Sequence, residues 1–194
     1  MSRKLKLQMQ TSLDGFVAAG PNDDQTWVTW AWDEIKEDVL GLLDDCDTHI
    51  IGRKLAVDYI PYWYDVFTKP DDPMFEVAKR MAAIRKIVFS NSIKKSPWEN
   101  IEVVNGNLND EVIKLKKQNG KDIFAVGGTS FVSSLIAENL IDEFYFYVNP
   151  VALGKGDPVF NKIQSHKHLK LIKSKMFNCG INLFVYELKK GCQN

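Results

Sequence analysis

Short apolar segments rich in β-branched and aromatic residues alternate along this chain with segments whose apolar residues recur at helical spacing. Because the first pattern is typical of buried strands and the second of amphipathic helices, the alternation predicts an α/β fold. About eight strands are predicted, at residues 5–10, 48–51, 86–90, 101–104, 123–126, 143–149, 169–175 and 181–188. Helices are predicted at residues 33–43, for a turn or more after Gly52, and at 73–83, 110–118 and 129–138.

The order of these elements predicts a mostly parallel central sheet. The early strands are short and separated by helices, as in sheets built from crossover connections. The last two strands are long and meet at Asn178-Cys179-Gly180, which predicts a C-terminal antiparallel hairpin. No linker or internal repeat interrupts residues 1–188, which we interpret as a single domain followed by a short tail at 189–194.

The charge balance and the cysteine content exclude several classes of protein. Lys plus Arg and Asp plus Glu each number 25, so no overall field favours nucleic acid or an anionic membrane. No apolar run approaches the roughly 20 residues of a membrane-spanning helix. The three cysteines, at positions 46, 179 and 192, are odd in number and far apart, so they suggest no disulfide framework. His166 and His168 lack a third metal ligand. The N-terminus is unlike a signal peptide. We therefore predict a cytoplasmic protein without a metal.

The most informative local pattern is an apolar strand that runs into Gly127-Gly128 and then into a helix. Two residues without Cβ atoms let backbone N–H groups at a helix N-terminus approach a pyrophosphate, which the helix dipole also favours. Thr129 and Ser130 add hydroxyl donors, and the predicted phosphate-binding segment extends to Phe131. The alternative is an ordinary strand-to-helix turn in which Thr129 is a simple cap.

Two other strands end in polar residues. Residues 48–51 are followed by Gly52-Arg53-Lys54, where a guanidinium is suited to grip a phosphate. Residues 86–90 end in Ser90-Asn91-Ser92, whose small polar side chains suit a ribose or its phosphate. Open α/β sheets bind ligands outside the carboxyl ends of their strands. Three such ends predict a dinucleotide site, and the arginine and serines favour NADPH.

Five segments in a fixed order carry a resemblance to a known family. They are residues 11–18 (TSLDGFVA), the Gly52-Arg-Lys turn, 86–90 (KIVFS), 126–128 (VGG), and 140–143 (LIDE) followed by 150–160 (PVALGKGDPVF). Together they resemble the reductase domain of the bacterial bifunctional riboflavin-biosynthesis deaminase-reductase and its stand-alone relatives. The resemblance implies a three-layer, dihydrofolate reductase-like fold with NADPH across the carboxyl edge of the sheet.

The same resemblance implies roles for particular residues. Gly127 and Gly128 would lie under the pyrophosphate, with the Gly52-Arg53 turn and Ser90 near the adenosine phosphate. Leu55 stands where the family often has threonine, which removes one phosphate-binding hydroxyl.

Two carboxylates are candidates for the proton donor that a reductase needs. Asp14 lies in a turn-forming Asp-Gly pair that the resemblance places beside the nicotinamide, although its side chain also suits bonding to its own backbone. Asp33 lies where dihydrofolate reductases carry a substrate-binding carboxylate, and Glu34 is the adjacent alternative. Aromatic clusters at residues 27–32 and 59–64 either flank a heterocyclic substrate or fill a core or an interface.

The resemblance implies reduction of 5-amino-6-(5-phosphoribosylamino)uracil with NADPH, by a protein that is commonly a homodimer. Two alternatives stay open: reduction of dihydrofolate or another pterin, and a non-catalytic NADPH-binding module on the same fold. The zinc signature of the deaminase half, His-x-Glu with Pro-Cys-x-x-Cys, does not occur in the sequence, so deamination is excluded.

Overall fold

A computed structural model describes residues 2–20, 23 and 25–189. Within this part of the chain, eight strands form one sheet in the order β5-β4-β3-β6-β1-β7-β10-β9, and two short strands pair separately. The strands are β1 (Leu5–Thr11), β2 (Phe16–Ala18), β3 (Cys46–Gly52), β4 (Arg85–Phe89), β5 (Glu102–Val104), β6 (Asp122–Val126), β7 (Glu143–Val148), β8 (Asp157–Pro158), β9 (Leu169–Met176) and β10 (Asn182–Leu188). The helices are α1 (Trp32–Asp44), α2 (Arg53–Phe67), α3 (Phe75–Ala83), α4 (Leu108–Lys117) and α5 (Thr129–Ala137).

The sheet is mostly parallel, as the sequence predicts. β1 pairs in parallel with β6 and β7, β3 with β4 and β6, and β4 with β5. β10 is antiparallel to both β7 and β9, so the predicted C-terminal hairpin is confirmed.

Helices cover both faces of the central strands. Leu7, Ile50 and Ile123 point to one side, where they pack with residues of α4 and α5. Phe124 and Ile51 point to the other side, which α1, α2 and α3 cover. Strands buried on both faces have continuous apolar runs, which explains why these strands were found by their composition. The result is the three-layer α/β architecture expected from the sequence.

Helix boundaries differ from the sequence prediction in two places. α2 continues to Phe67 although Pro61 lies inside it, because Ala56, Ile60 and Val66 of this helix are buried. α4 begins at Leu108, before the acidic residues that suggested its start. Its N-cap is Asn107, whose side chain accepts hydrogen bonds from the N–H groups of residues 109 and 110.

The short pair β2–β8 was not predicted. It joins the loop after β1 to the loop after β7, which contain the segments 11–18 and 150–160. Two or three residues give too little pattern for a strand prediction. Lys189 is the last described residue, so most of the predicted tail lies outside the described part of the chain. Among the described residues, no helix is long and apolar enough to cross a membrane.

Candidate functional site

A cleft of about 650 Å³ lies at the carboxyl ends of four adjacent strands, β5, β4, β3 and β6. It is lined by Gly52, Arg53, Lys54, Leu55, Phe89, Ser90, Asn91, Val104, Gly106, Asn107, Leu108, Gly128, Thr129, Ser130, Phe131, Ser134 and Asp157. The structure therefore brings the three polar strand ends together in one place. Of the predicted cofactor-binding residues, Ser92 and Gly127 are the two that do not line the cleft.

The start of α5 presents unpaired donors to this cleft. Gly128 is the N-cap, and no side chain caps the helix, so the alternative of Thr129 as a simple cap is wrong. The N–H groups of Phe131 and Val132 bond to the Gly128 carbonyl oxygen. The N–H groups of Thr129 and Ser130 make no hydrogen bond within the described part of the chain. Unpaired N–H groups and the helix dipole together favour an anion at this position.

The glycines of the two strand-to-helix turns also permit close packing between the turns. Gly127 has φ +110°, and a Cβ atom there would overlap Cδ2 of Leu55. A Cβ atom at Gly52 would lie 2.6 Å from the Cβ atom of Phe131. Thus Leu55, where the family often has threonine, lies over Gly127. Close packing alone therefore explains why glycine stands at positions 52 and 127, whether or not a ligand binds.

The start of α2, which packs beside the start of α5, carries two cations. Arg53 and Lys54 are exposed in the first turn of α2, which begins at Gly52 without a side-chain cap. Neither side chain makes a hydrogen bond or ion pair among the described residues. Because Asp157 is the one carboxylate among the lining residues described, the cleft is locally positive in a protein of zero net charge. A fixed positive concavity attracts phosphates.

Residues at the end of β4 mainly organise their own loop. Ser90 is buried, and its Oγ accepts hydrogen bonds from the N–H groups of Ser92 (3.2 Å) and Ile93 (2.9 Å). The Asn105 amide donates to the carbonyl oxygens of Ser90 and Ile93. The Ser90 hydroxyl is thus largely occupied, whereas Asn91 lines the cleft. Sequence reasoning missed the turn after β5, although Asn107 followed by acidic residues is a recognisable helix start.

Asp14 is held in a turn. Its carboxylate accepts hydrogen bonds from the Ser12 hydroxyl (2.6 Å) and from the N–H groups of Leu153 (3.1 Å) and Gly154 (2.7 Å). These bonds, that of Ser12 first, lower the pKa of Asp14 to about 2. A carboxyl group that is ionised at neutral pH is a poor proton donor, so these hydrogen bonds favour the turn-forming role of Asp14 over the predicted catalytic one. Asp14 instead ties the loop after β1 to the loop after β7.

Asp33 also lacks the environment of a general acid. Its side chain is 95% exposed, and its ion pair with Lys36 is long, at 3.7 Å. Glu34, the alternative, accepts a hydrogen bond from the Cys179 N–H (3.1 Å) and so contacts the β9–β10 turn.

These two carboxylates give a paired prediction about stability. We expect Asp14→Ala to lower the melting temperature clearly, because two backbone N–H groups and a hydroxyl lose their acceptor. Asp33→Ala, the matched control, should leave it almost unchanged. The contribution of Asp14 is present above its ordinary pKa of 3.8 and is lost as the pH falls towards 2. Thermal melts at pH 7 check this, and equal melting temperatures for the two variants would refute it.

The fold and the cleft define the class: a dihydrofolate reductase-like α/β protein with a polar cleft at the carboxyl edge of its sheet. The chain belongs to the family described as the RibD C-terminal domain, which matches residues 3–183. It is 33% identical over 186 residues to YyaP, an uncharacterized protein of Bacillus subtilis (strain 168), with 95% of this chain and 94% of YyaP covered.

Solved structures share the fold. A putative riboflavin biosynthesis protein from Shewanella sp. PV-4 superimposes with a TM-score of 0.72 and 22% identity, over 98% of this chain and all of that one (100%). The diaminohydroxyphosphoribosylaminopyrimidine deaminase/5-amino-6-(5-phosphoribosylamino)uracil reductase of Thermotoga maritima gives a TM-score of 0.70 and 16% identity. In that pair, the match covers 97% of this chain and 57% of the Thermotoga chain.

Proposed function

We propose that this protein is an NADPH-dependent reductase whose substrate resembles 5-amino-6-(5-phosphoribosylamino)uracil. The observation that carries the proposal is the cleft, which is lined by Arg53 and Lys54, without partners among the described residues, and by the start of α5, which no described side chain caps. Family membership supports a reductase-like activity of the riboflavin pathway.

The residues of the cleft fit a phosphorylated dinucleotide. Arg53 and Lys54 supply charge for a phosphate, the start of α5 supplies N–H groups and hydroxyls, and Asn91 suits a ribose. Bound NADPH would supply the hydride. The chain's own task is then to hold the phosphates and fix the position of the nicotinamide against the substrate.

Trp32, Tyr59 and Trp63 fill a core and do not line the cleft. They pack against the same apolar cluster between the sheet and the helices α1 to α3. The rings of Tyr59 and Trp63 meet edge to face at 5.8 Å. Pyrimidine and pterin substrates would share the cofactor and differ in their heterocyclic ring. Steady-state assays with both substrates would separate the two readings.

The cofactor proposal is tested by titrating the protein with NADPH and with NADH. We expect tighter binding of NADPH, and we expect Arg53→Ala to weaken NADPH binding by roughly 10- to 100-fold while changing NADH binding little. The reason is that a hydrogen bond between charged groups contributes about 1.5–3 kcal/mol. Arg85→Ala is the control, since Arg85 lies at the start of β4 and pairs with Glu102.

The titration also has outcomes that count against the proposal. Failure to bind either dinucleotide would rule out the reductase function. An equal loss for NADPH and NADH in Arg53→Ala would contradict the assignment of Arg53 to the extra phosphate. The ionised Asp14 and the leucine at position 55 favour the second candidate, a module that binds NADPH without turnover. That candidate gains if NADPH binds and no pyrimidine or pterin is reduced.

We further propose a homodimer formed through β9, which lies at the edge of the sheet among the described strands. Leu171, Ile172 and Met176 are 48%, 44% and 83% exposed, respectively. The strand's three lysines pair with two carboxylates of the chain, Asp38 and Glu187, which reduces the repulsion between two copies of β9. We expect a dimer in sedimentation experiments and its loss in Met176→Lys. A monomeric wild-type protein would contradict this.

A further inference from the structure

Lys162, in the loop after β8, is anchored on the first turns of α5. Its Nζ atom donates hydrogen bonds to the Ser130 carbonyl oxygen (2.9 Å), the Ser134 Oγ (2.8 Å) and the Ser130 Oγ (3.4 Å). An ammonium group has three hydrogens, and each has an acceptor here. Among the described residues, no carboxylate pairs with Lys162. Its charge is therefore held in one place and is not neutralised by an acid.

These contacts decide how the two serine hydroxyls are used. An ammonium group can only donate, so both hydroxyl oxygens act as acceptors towards Lys162. The Ser134 hydroxyl hydrogen is already used, because it is donated to the Ser130 carbonyl oxygen (2.9 Å). The Ser130 hydroxyl hydrogen has no acceptor within the described part of the chain. Ser130 lines the cleft, so this hydrogen is available to a ligand there.

The position of Lys162 also completes the distribution of charge. Arg53 and Lys54 lie at the start of α2 and line the cleft. Lys162 is not among the lining residues, but it is bonded to Ser130 and Ser134 of α5, which are. Cations near two helix starts suit a ligand that carries phosphate groups at separate positions. A nucleotide with a pyrophosphate and a further phosphate has that chemistry.

We propose that Lys162 is a positioning residue for the phosphate-binding cleft. It holds the Ser130 hydroxyl as a donor to the pyrophosphate of a dinucleotide and adds a positive charge on the α5 side. The proposal rests on the function proposed above and deepens it, because it assigns the pyrophosphate to the start of α5 and the further phosphate to the start of α2. No sequence motif pointed to Lys162, since its partners are 28 and 32 residues away.

The test compares binding of NADPH, adenosine 2′,5′-bisphosphate and inorganic pyrophosphate to the wild type, Lys162→Met, Lys162→Arg and Ser130→Ala. We expect Lys162→Met to weaken NADPH and pyrophosphate binding about 5- to 10-fold, the size of one ordinary hydrogen bond, because the Ser130 hydroxyl remains but is no longer held in place. Binding of adenosine 2′,5′-bisphosphate, which lacks the pyrophosphate, should change less. Lys162→Arg should restore most of the affinity. Lys155→Met, in the preceding loop between β7 and β8, is the control.

The double variant Lys162→Met/Ser130→Ala tests whether the lysine acts through the hydroxyl. We expect the fold-loss of affinity in the double variant to be smaller than the product of the fold-losses in the two single variants. The reason is that both substitutions remove the same interaction. A product of independent losses would contradict the positioning role. Melting temperatures are measured for the same variants. If Lys162 has a merely structural role, its substitution lowers the melting temperature and leaves the dissociation constants unchanged.

The outcomes distinguish the two proposals. If the wild type binds NADPH and Lys162→Met binds it equally well, the inference about Lys162 is overturned while the proposed function stands. If the wild type binds pyrophosphate in a Lys162-dependent way but binds no dinucleotide, the inference stands while the proposed function fails. If it binds neither probe, both are overturned.

Discussion

Replacing Gly127 by alanine is expected to lower the free energy of unfolding by about 2 kcal/mol or more. The backbone at Gly127 has φ +110°, a conformation that costs other residues roughly 1–3 kcal/mol. The new Cβ atom would also overlap Cδ2 of Leu55, so the Leu55 side chain has to move from its place over the turn. Urea unfolding of the wild type and the variant measures the loss.

The neighbouring glycine provides a matched control. Gly128 has φ −43°, and a Cβ atom there would lie 4.0 Å from its nearest neighbour, the Cβ atom of Leu55. We therefore expect Gly128→Ala to cost about 1 kcal/mol or less, the usual effect at an N-cap. Adding Leu55→Ala to Gly127→Ala should recover part of the loss, because it removes the overlap and leaves the backbone strain. Equal effects of the two glycine substitutions would contradict the packing role of Gly127.

Acidification from pH 7 to pH 4 is expected to destabilise the protein through His49. This side chain is 0% exposed. The centre of its imidazole ring lies 4.8 Å from that of Phe124 and 5.7 Å from that of Tyr59. Among the described residues, neither ring nitrogen has a hydrogen-bond partner. Burial, and secondly the charge of Lys86, lowers the pKa of His49 to about 3 from 6.5. The folded protein therefore keeps this imidazole neutral at a pH where the unfolded chain protonates it.

The sign of the pH effect follows from that difference. Above pH 6.5 both states are neutral at this position, and His49 adds no pH dependence. Between 6.5 and about 3 the unfolded state binds one more proton, so stability falls by up to about 1.4 kcal/mol per pH unit. Asp14 titrates below this range, near pH 2, so the interval from 6.5 to 4 reports mainly on His49.

Urea unfolding at a series of pH values checks this expectation. We expect His49→Phe, which keeps a ring and removes the titration, to flatten the dependence between pH 6.5 and 4. The double variant His166→Gln/His168→Gln is the control, since both side chains are exposed and should not alter the slope. Parallel pH profiles for the wild type and His49→Phe would show that another group is responsible.

The success of the sequence predictions depended on how local each feature is. The strand of residues 122–126 was found because its buried residues are contiguous, and the C-terminal hairpin because a turn separates two long apolar runs. The pair β2–β8 was missed because its residues are 139 or more positions apart and too few to form a pattern. The start of α4 was predicted too late in the chain, because the capping side chain, Asn107, precedes the charged residues that suggested the start.

The site was predicted in a similar, partial way. The three polar strand ends were recognised, and the structure places them at one cleft. The bonds of Asp14 to the loop after β7 were not predicted, because its partners, Leu153 and Gly154, are far away in the sequence. Burial and hydrogen bonding set a pKa, and neither can be read from the residues on each side of a carboxylate.

The sequence by itself determined which segments become strands and helices, where each strand ends, and which polar residues stand at those ends. Side-chain size, branching and periodicity act locally, so these features are present before any tertiary contact forms. The tertiary structure decided that β3 lies between β4 and β6, which unites their ends in one cleft. It also decided that Leu55 covers Gly127, that Asp14 stays ionised, and that Lys162 reaches Ser130. These depend on contacts between distant segments, whose geometry is set only when the whole sheet has packed.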